Sequence, residues 1–434
     1  MMTIAYLANQ FPSGVESYVM DEITDLRGRG IRVIAGSVLP PRREDEALAI
    51  QFKPEVVLQH VQGIVLLRAL WMCVRRWKRI APLVRRVMFR GREGLLRRAK
   101  TLVHTWVGAA YAVSLQGRGV DHIHIHHGYF GSWVGMVAAR LLGLPFSMTL
   151  HGSDVLLCAT YLDTKLEHCA FCRTISEYNR QYILQHYPEV EPEKVLVLRL
   201  GVEVAEPAAR PAVGPKTKGT PLLMLAVGRL HPVKNHAFLL RACADLVDRG
   251  VAFHCYIAGE GPEHSRLESM IRMLGLEGSV TLLGHVPPAR RNFLYGMADV
   301  VVLTSRSEGV PVVLMEAMVR ESIVLAPAIT GIPELVIGGK TGFLYEPGSM
   351  DDFVSHLLLI RSLMQGAETA QPQFSDHSAL ESLALERIRH AARVQVRQNF
   401  NRRKNLQLLA ELFLQRIPSQ TESTPDESPL LQQI

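Results

Sequence analysis

The sequence predicts an α/β protein built from two doubly wound parallel sheets that face each other across a cleft. Three observations carry this: a strand-helix-strand rhythm beginning at residue 3, a stretch near residue 210 rich in Pro, Gly and Ala, and a restart of the same rhythm after it. With 434 residues the chain also exceeds the usual size of one core, which favours two domains.

In order, IAYLAN reads as a strand, QFPSGVESY as a loop, the stretch to Leu26 as a helix closed by GRG, and IRVIAGSVL as a second strand. Residues 54–115 turn helical and basic, as an insertion would. DHIHIHH, PFSMTLHG, CRTISE and KVLVLRLG are strand signals with helices between them. Val202 to Thr220 has no hydrophobic period and reads as a linker. Beyond it come LLMLAVGRL, a helix from about Asn235 to Arg249, FHCYIAGEG, a helix to Leu274, VTLLGHV, a helix around Phe293 to Met297, VVVLTSRSEG, a helix to Met318, and IVLAP. The expected organisation is a first domain at 1–201, a linker at 202–220, a second domain at 221–398 with a polar insertion near 365–380, a final helix at 399–416 and a disordered tail at 417–434.

Hydrophobic residues make up 48% and charged residues 21%, the balance of a folded protein. Six cysteines are scattered through a chain that opens MMTIAYLANQ, without a basic or apolar leader pattern, so a reducing, cytoplasmic setting is expected. Cys169 and Cys172 form one CAFC without a second pair and read as buried thiols on a helix rather than a zinc or redox pair. No apolar run reaches the roughly 18 residues of a membrane span. The net charge of +7 is concentrated: residues 68–100 hold twelve Arg or Lys against Glu93 alone. Trp71, Trp77, Leu83, Leu95 and Leu96 alternate with these arginines as in helices that lie on anionic lipid. The expected partner is an anionic membrane surface, at the inner face of the cytoplasmic membrane. No recognition motif accompanies the charge, so nucleic acid is not expected. His122, His124, His126 and His127 place alternate rings on one face of a strand, which is compatible with a metal. No DxD motif occurs to chelate a metal bridged to a diphosphate, and none is assigned.

The chemistry lies in SEGVPVVLMEAM, where Glu308 and Glu316 flank an apolar segment. With a strand ending near Ser305 and Pro311 in the first helical turn, Glu308 falls in the loop and Glu316 inside the helix, on the order of 10 Å away. The free amides of the helix start lie between them and suit a phosphate. A nucleotide sugar has a matching layout: hydroxyls at each end for the acids and two phosphates between. Arg229 and Lys234, in VGRLHPVKN after the first strand of this half, supply the positive charge.

AVGRLHPVKN, YIAGEGPE, VTLLGHV, LTSRSEGVPVVLMEAM, TGIPELV and GGKTGFLYEPG, in this order, resemble the second domain of the retaining glycosyltransferases of the GT-B fold, family 4 type (glycosyl transferases group 1). FPSGVESYVMDEI, HIHIHHGYF, LHGSD and ISEYNR resemble the exopolysaccharide, colanic-acid type branch. The resemblance implies two Rossmann-like domains, with the acceptor on the first and the nucleotide sugar on the second. It implies Glu316 on the ribose, Glu308 on the donor sugar, Arg229 and Lys234 on the diphosphate, and His285 and Val286 beside the base. It places Gly14, Gly228, Gly309, Val310 and Val312 against the donor, and His151 near the transferred sugar, followed by Asp154. The chain departs from the family pattern at Glu321, Ser322 and Ile323, where Gly then Pro are usual, at Thr330 of a usual Gly-Gly pair, and at Arg306 for a proline.

The implied reaction moves a sugar with retention from a nucleotide-diphosphate sugar to a hydroxyl of a lipid-linked oligosaccharide, in exopolysaccharide or lipopolysaccharide synthesis, with no metal or other cofactor. A front-face route fits because no nucleophilic carboxylate is identifiable. The competing readings are a non-catalytic sugar-nucleotide-binding subunit and a synthase acting on a soluble acceptor.

Overall fold

The computed structural model describes the chain except residues 43–44, 91–92, 158–159, 205–218, 367–375 and 418–434. Most of the expected linker, much of the polar insertion, and all of the tail after Ile417 lie outside the described residues. Two compact units account for the chain. One comprises Met1–Thr174, Arg180–Leu198 and the residues from Leu406; the other comprises Ile175–Asn179 and Arg199–Asn405.

In chain order the first unit holds β1 (Thr3–Gln10), α1 (Ser17–Gly28), β2 (Arg32–Leu39), α2 (Glu46–Gln51), β3 (Val56–Val57), α3 (Gly63–Arg75), α4 (Trp77–Phe89), α5 (Leu95–Leu115), β4 (His122–His126), α6 (Phe130–Leu142), β5 (Phe146–Leu150), α7 (Ser153–Leu156), α8 (Leu162–His168) and β6 (Phe171–Thr174). Most of α9 (Glu177–His186) and β7 (Val195–Val197) complete it. The strands form one parallel sheet in the order β3-β2-β1-β4-β5-β6-β7. Alternate residues of β1 serve its two faces: Ala5 and Leu7 enter one core, Ile4, Tyr6 and Ala8 the other. Helix α6 is apolar nearly all round because the sheet covers one side and α5 the other. Gly108 of α5 permits that approach, since a Cβ there would lie 2.7 Å from Val137 Cβ.

The insertion between β3 and β4 is three helices preceded by the short edge strand β3, which the sequence reading placed within helical territory. Two valines carry too little period to mark a strand. Cys172 lies in β6 and Cys169 just ahead of it, not together on a helix; both are buried by the sheet and carry no disulfide.

The second unit runs β8 (Leu222–Val227), α10 (His236–Asp248), β9 (Phe253–Ala258), α11 (His264–Met273), β10 (Val280–Gly284), α12 (Pro288–Met297), β11 (Val300–Val302), α13 (Val312–Val319), β12 (Ile323–Pro327), α14 (Ile332–Leu335), β13 (Phe343–Tyr345), α15 (Met350–Gly366) and α16 (Asp376–Asn399). Its sheet is parallel in the order β10-β9-β8-β11-β12-β13. The final helix, α17 (Arg402–Arg416), begins three residues later than the sequence reading placed it. From Leu406 it belongs to the first unit, because Leu409, Ala410 and Phe413 form one apolar stripe buried in the core around Ile4 and Tyr6. Strand β11 is shorter than VVVLTS suggested, and Pro311 is the N-cap of α13 rather than a residue of its first turn.

In both sheets the chain winds outward from its first strand to one side and then returns to the other. The reversal points lie between β1 and β4 and between β8 and β11. At such points the loops after the two strands diverge to opposite faces and leave a crevice at the carboxyl ends.

Candidate functional site

In the second unit the crevice between β8 and β11 gathers the SEG segment and both predicted cations. The turn after β8 carries Gly228 and Arg229, then a short 3-10 turn (Pro232–Lys234) before α10. The loop after β11 carries Ser305 to Val310 and ends at α13. The Thr304 hydroxyl donates to the Lys234 carbonyl at 3.0 Å and the Arg306 amide to the Val233 carbonyl at 2.8 Å, tying the two loops together.

The flanking motifs act as buttresses. Gly259, in AGEG after β9, has φ +147°, and a Cβ there would stand 1.9 Å from the Gly228 carbonyl oxygen. The AGEG turn therefore packs directly on the backbone of the VGR turn. On the other side the Thr330 hydroxyl donates to the Glu308 carbonyl at 2.7 Å, and a Cβ on Gly331 would lie 2.7 Å from the Gly309 carbonyl oxygen.

Within this frame Lys234 Nζ donates to Glu308 Oε1 at 2.5 Å. Its stem passes beside Gly228, 3.8 Å from where a Cβ would be. Arg229 is exposed and, among the described residues, has no carboxylate in ion-pair reach. Glu316 is held by Arg291 at 3.0 Å and by the Tyr295 hydroxyl at 2.9 Å. Burial, with the Glu316 charge beside it, raises the Tyr295 phenol well above its ordinary range, so it stays a donor. The amides of Val312 and Val313 open α13 and have no partner within the helix. Val310 is buried beneath them, and Val312 is half-buried. At the end of β10, Val286 is buried, while His285 is exposed and its amide donates to Glu260 Oε1 at 3.2 Å. Among the described residues the crevice thus holds Arg229 without a carboxylate, Lys234 paired to one, two helix amides without a partner in the helix, and a second carboxylate fixed by neighbours. Sequence reasoning missed Arg291 and Tyr295, which face Glu316 only once α12 and α13 are packed.

In the first unit the corresponding crevice holds histidines and carboxylates. His151 follows β5, and its Nε2 is 3.2 Å from His126 Nδ1. His126 Nε2 is 3.0 Å from Glu22 Oε2, whose other oxygen accepts from Arg173 at 2.6 Å. Burial alone would raise the Glu22 carboxyl, but the Arg173 guanidinium and the His126 ring outweigh it and hold the group ionised. A carboxylate only accepts, so it fixes a proton on His126 Nε2. The other ring nitrogen of His126 meets His151 Nε2, and His151 Nδ1 is buried without a hydrogen-bond partner among the described residues. Burial and the neighbouring His127 charge keep His151 neutral.

Asp154 organises this corner more widely than a helix cap: its carboxylate accepts from the amides of Gly128, His151 and Gly152. It also faces His127 at 3.6 Å, with Glu16 3.1 Å from the other ring nitrogen. Gly14 lies after β1 in this unit, its amide occupied by Asp45 Oδ1 at 2.8 Å. Among the described residues Glu22, His124 and His126 bring possible metal ligands within 4.8 Å of one another. That donor set is already engaged: Arg173 sits on Glu22, and both ring nitrogens of His124 meet the hydroxyls of Ser147 and Thr149 at 2.8 and 3.0 Å.

The insertion presents a different surface. Helix α3 exposes Leu67, Leu70, Trp71 and Val74 beside Arg68, Arg75 and Arg76. Among the described residues no helix is long and apolar enough to cross a membrane.

Residues 213–370 match the family model described as glycosyl transferases group 1, and residues 12–206 match the model of glycosyltransferase family 4. A putative colanic acid biosynthesis glycosyltransferase of Salmonella typhimurium is 34% identical over 228 residues, 51% of each chain. An amylovoran biosynthesis glycosyltransferase of Erwinia amylovora is 29% identical over 214 residues, 45% of this chain and 51% of its own. The chain thus spans about half the length of these curated relatives. Over the whole fold, a glycosyltransferase structure from Rickettsia africae matches with a TM-score of 0.68 at 17% identity, covering 96% of this chain and 98% of the other. The Anabaena protein HepE, in complex with UDP and glucose, matches with a TM-score of 0.64 at 18% identity, covering 96% and 100%.

Proposed function

We propose that this chain, which belongs to the glycosyltransferases of group 1 and family 4, transfers a sugar from a nucleotide-diphosphate donor to a hydroxyl of a lipid-linked saccharide during exopolysaccharide synthesis. The observation that carries the reading is the crevice between β8 and β11, where Arg229, Lys234 and the first amides of α13 converge from two loops that brace each other. Relatives named for colanic acid and amylovoran synthesis support the biological setting. A fold neighbour in complex with UDP-glucose supports the donor class.

In this reading the donor diphosphate lies over the start of α13. Lys234 exchanges Glu308 for a phosphate oxygen, and Glu308, released, accepts from a hydroxyl of the donor sugar. Glu316, fixed by Arg291 and Tyr295, accepts from the ribose. As the bond to the anomeric carbon breaks, charge gathers on the leaving diphosphate, where Arg229, Lys234 and the amides stabilise it most. No metal is assigned, because these groups already supply the countercharge. The first unit binds the acceptor, and His151 offers it a neutral imidazole. The retained configuration follows from a front-face route in which the leaving diphosphate takes the acceptor's proton. The protein works at the inner face of the cytoplasmic membrane, held there by the basic insertion.

The test is release of nucleoside diphosphate from UDP-, GDP- and ADP-sugars, with and without a lipid-linked oligosaccharide. Acceptor-dependent release from one donor is expected. Tight nucleotide-sugar binding with no release from any donor would leave only a binding subunit.

A further inference from the structure

We propose that a second anion site, a cavity of about 620 Å³ under the start of α5, binds the diphosphate of the lipid carrying the acceptor saccharide. It rests on the reading above for the name of its ligand, but its chemistry is independent of that reading. The cavity lies at the carboxyl ends of β4 and β5, where the residues after each strand meet the insertion. Its volume is in the range of sites for small molecules.

Its electrostatics lack a partner. Lys165 of α8 is 1% exposed, and its Nζ spends two protons on the carbonyls of Gly128 at 2.7 Å and Tyr129 at 3.0 Å. Among the described residues no carboxylate lies within ion-pair reach of it. Burial pushes its pKa down to about 7, only partly opposed by Asp154 and Asp163. A buried ammonium without a counter-ion is costly, and an anion in the cavity would remove that cost. Arg97 and Lys100, one turn apart on α5, line the same cavity from its exposed side and are likewise without ion pairs among the described residues. The one lining acid, Glu93, stands 3.8 Å from Arg86, which Asp163 holds more closely at 2.7 Å, so Glu93 offsets part of this positive charge. Three basic side chains against one acid leave a positive excess that matches the multiple charge of a diphosphate better than a single carboxylate.

The walls indicate what is attached to the anion. The half-buried Phe130 stacks on His104 at 5.2 Å and gives the wall an aromatic face of the kind that covers sugar rings, while Trp133 and Tyr161, 5.1 Å apart, are buried behind it. Leu157 of the lining is 62% exposed, and Leu95 and Leu96, which precede Arg97 at the start of α5, are 83% and 70% exposed. A ligand with a charged head and a long apolar chain would satisfy the cations and cover these side chains together. A bilayer phospholipid offers related chemistry, with one phosphate and two chains, and the experiment separates the two sources.

The experiment is calorimetric titration of the full chain with farnesyl diphosphate, with farnesol, inorganic pyrophosphate and dihexanoyl phosphatidylglycerol as comparisons. The variants are R97A/K100A, which changes only exposed side chains, and R229A/K234A, which removes the cations of the other crevice. Farnesyl diphosphate should bind the wild type and R229A/K234A alike and R97A/K100A at least tenfold more weakly. Farnesol should not bind, and pyrophosphate should bind more weakly than farnesyl diphosphate. Circular dichroism of R97A/K100A should match the wild type. Unchanged binding to R97A/K100A, loss in R229A/K234A instead, or equal affinity for the phosphatidylglycerol would overturn the assignment. A protein that binds farnesyl diphosphate here yet releases no nucleotide keeps the site and loses the transferase reading.

Discussion

Lys234 and Glu308 form an ion pair of 2.5 Å between the loops after β8 and β11, with side chains 23% and 12% exposed. Each is the other's partner and a phosphate would compete with Glu308 for Lys234, so the two removals should have opposite effects on nucleotide affinity. K234A deletes a phosphate contact and leaves Glu308 uncompensated; UDP binding should weaken and turnover fall a hundredfold or more, as for loss of one charge-stabilising donor. E308Q frees Lys234, so UDP should bind more tightly while turnover still falls, because the donor sugar loses an acceptor. Titration of UDP into both variants checks this. A parallel loss of affinity in both would mean that Glu308 helps to hold the nucleotide rather than competing with it for Lys234.

Two buried cations of the first unit should give opposite pH dependences. Burial would lower the His127 ring, but the Asp154 and Glu16 carboxylates beside it raise it to about 10. The folded state therefore holds a proton that the unfolded state releases above about 6.5, and this stabilisation disappears as pH rises from there through about 10. Lys165 is the reverse: with a folded pKa near 7, stability from it rises with pH between about 7 and 10.4. Each slope is at most about 1.4 kcal/mol per pH unit, and from these two groups the wild type should be nearly flat between pH 7.5 and 9.5. Urea melts of H127Q across that range should show stability rising with pH, and those of K165M should show it falling. Flat profiles for both variants would remove the two assignments.

Much of the second unit was legible because its chemistry is local. Glu308, Gly309, Val310 and Glu316 fall within nine residues, and the glycines of AGEG and TGI announce close backbone approaches that the structure contains. What the sequence could not disclose depends on pairing distant elements. Arg291 and Tyr295 face Glu316 only through the packing of α12 on α13, and their own segment reads as an ordinary amphipathic helix. Glu22 looks like a surface acid of α1 until Arg173, 151 residues later, is brought against it by β6. The alternation in HIHIHH did signal rings on one face of β4, but not that Ser147 and Thr149 of β5 would occupy them. The final helix reads as amphipathic, but what covers the apolar stripe of α17 was hidden for the same reason, since its partner is the other end of the chain.

The exposed face of α3 carries the prediction for the membrane. Leu67, Trp71 and Val74 are 67%, 61% and 70% exposed, with Arg68 and Arg75 among them. Arginines close to an anionic surface contribute about 1 kcal/mol each, and the effect falls off within a Debye length. Sedimentation with anionic vesicles should therefore exceed that with neutral ones and decline from 0.05 to 0.5 M salt. W71A should reduce binding at all salt concentrations, because insertion of apolar area is not screened. Equal binding to neutral and anionic vesicles, unaffected by salt, would eliminate the electrostatic part.

Glu321 and Thr330, two departures from the family pattern, share one physical property: φ is +59° at Glu321 and +46° at Thr330. An L side chain in the left-handed region costs about 1 kcal/mol, more for a β-branched one, and glycine avoids it. Glu321 follows Arg320, the C-cap of α13, and among the described residues its side chain has no hydrogen-bond or ion-pair partner, so E321G should raise the melting temperature by a few degrees and leave turnover unchanged. Thr330 is different, because its hydroxyl fixes the Glu308 carbonyl at 2.7 Å. T330G relieves the backbone but releases the loop that positions Glu308, so it should melt no lower than the wild type while turnover falls about tenfold, a separation expected where strain serves a site. Serine at 330 restores the hydroxyl without the β-branch and should recover most of the lost activity. If T330S stays as slow as T330G, the hydroxyl is not what holds Glu308 in place.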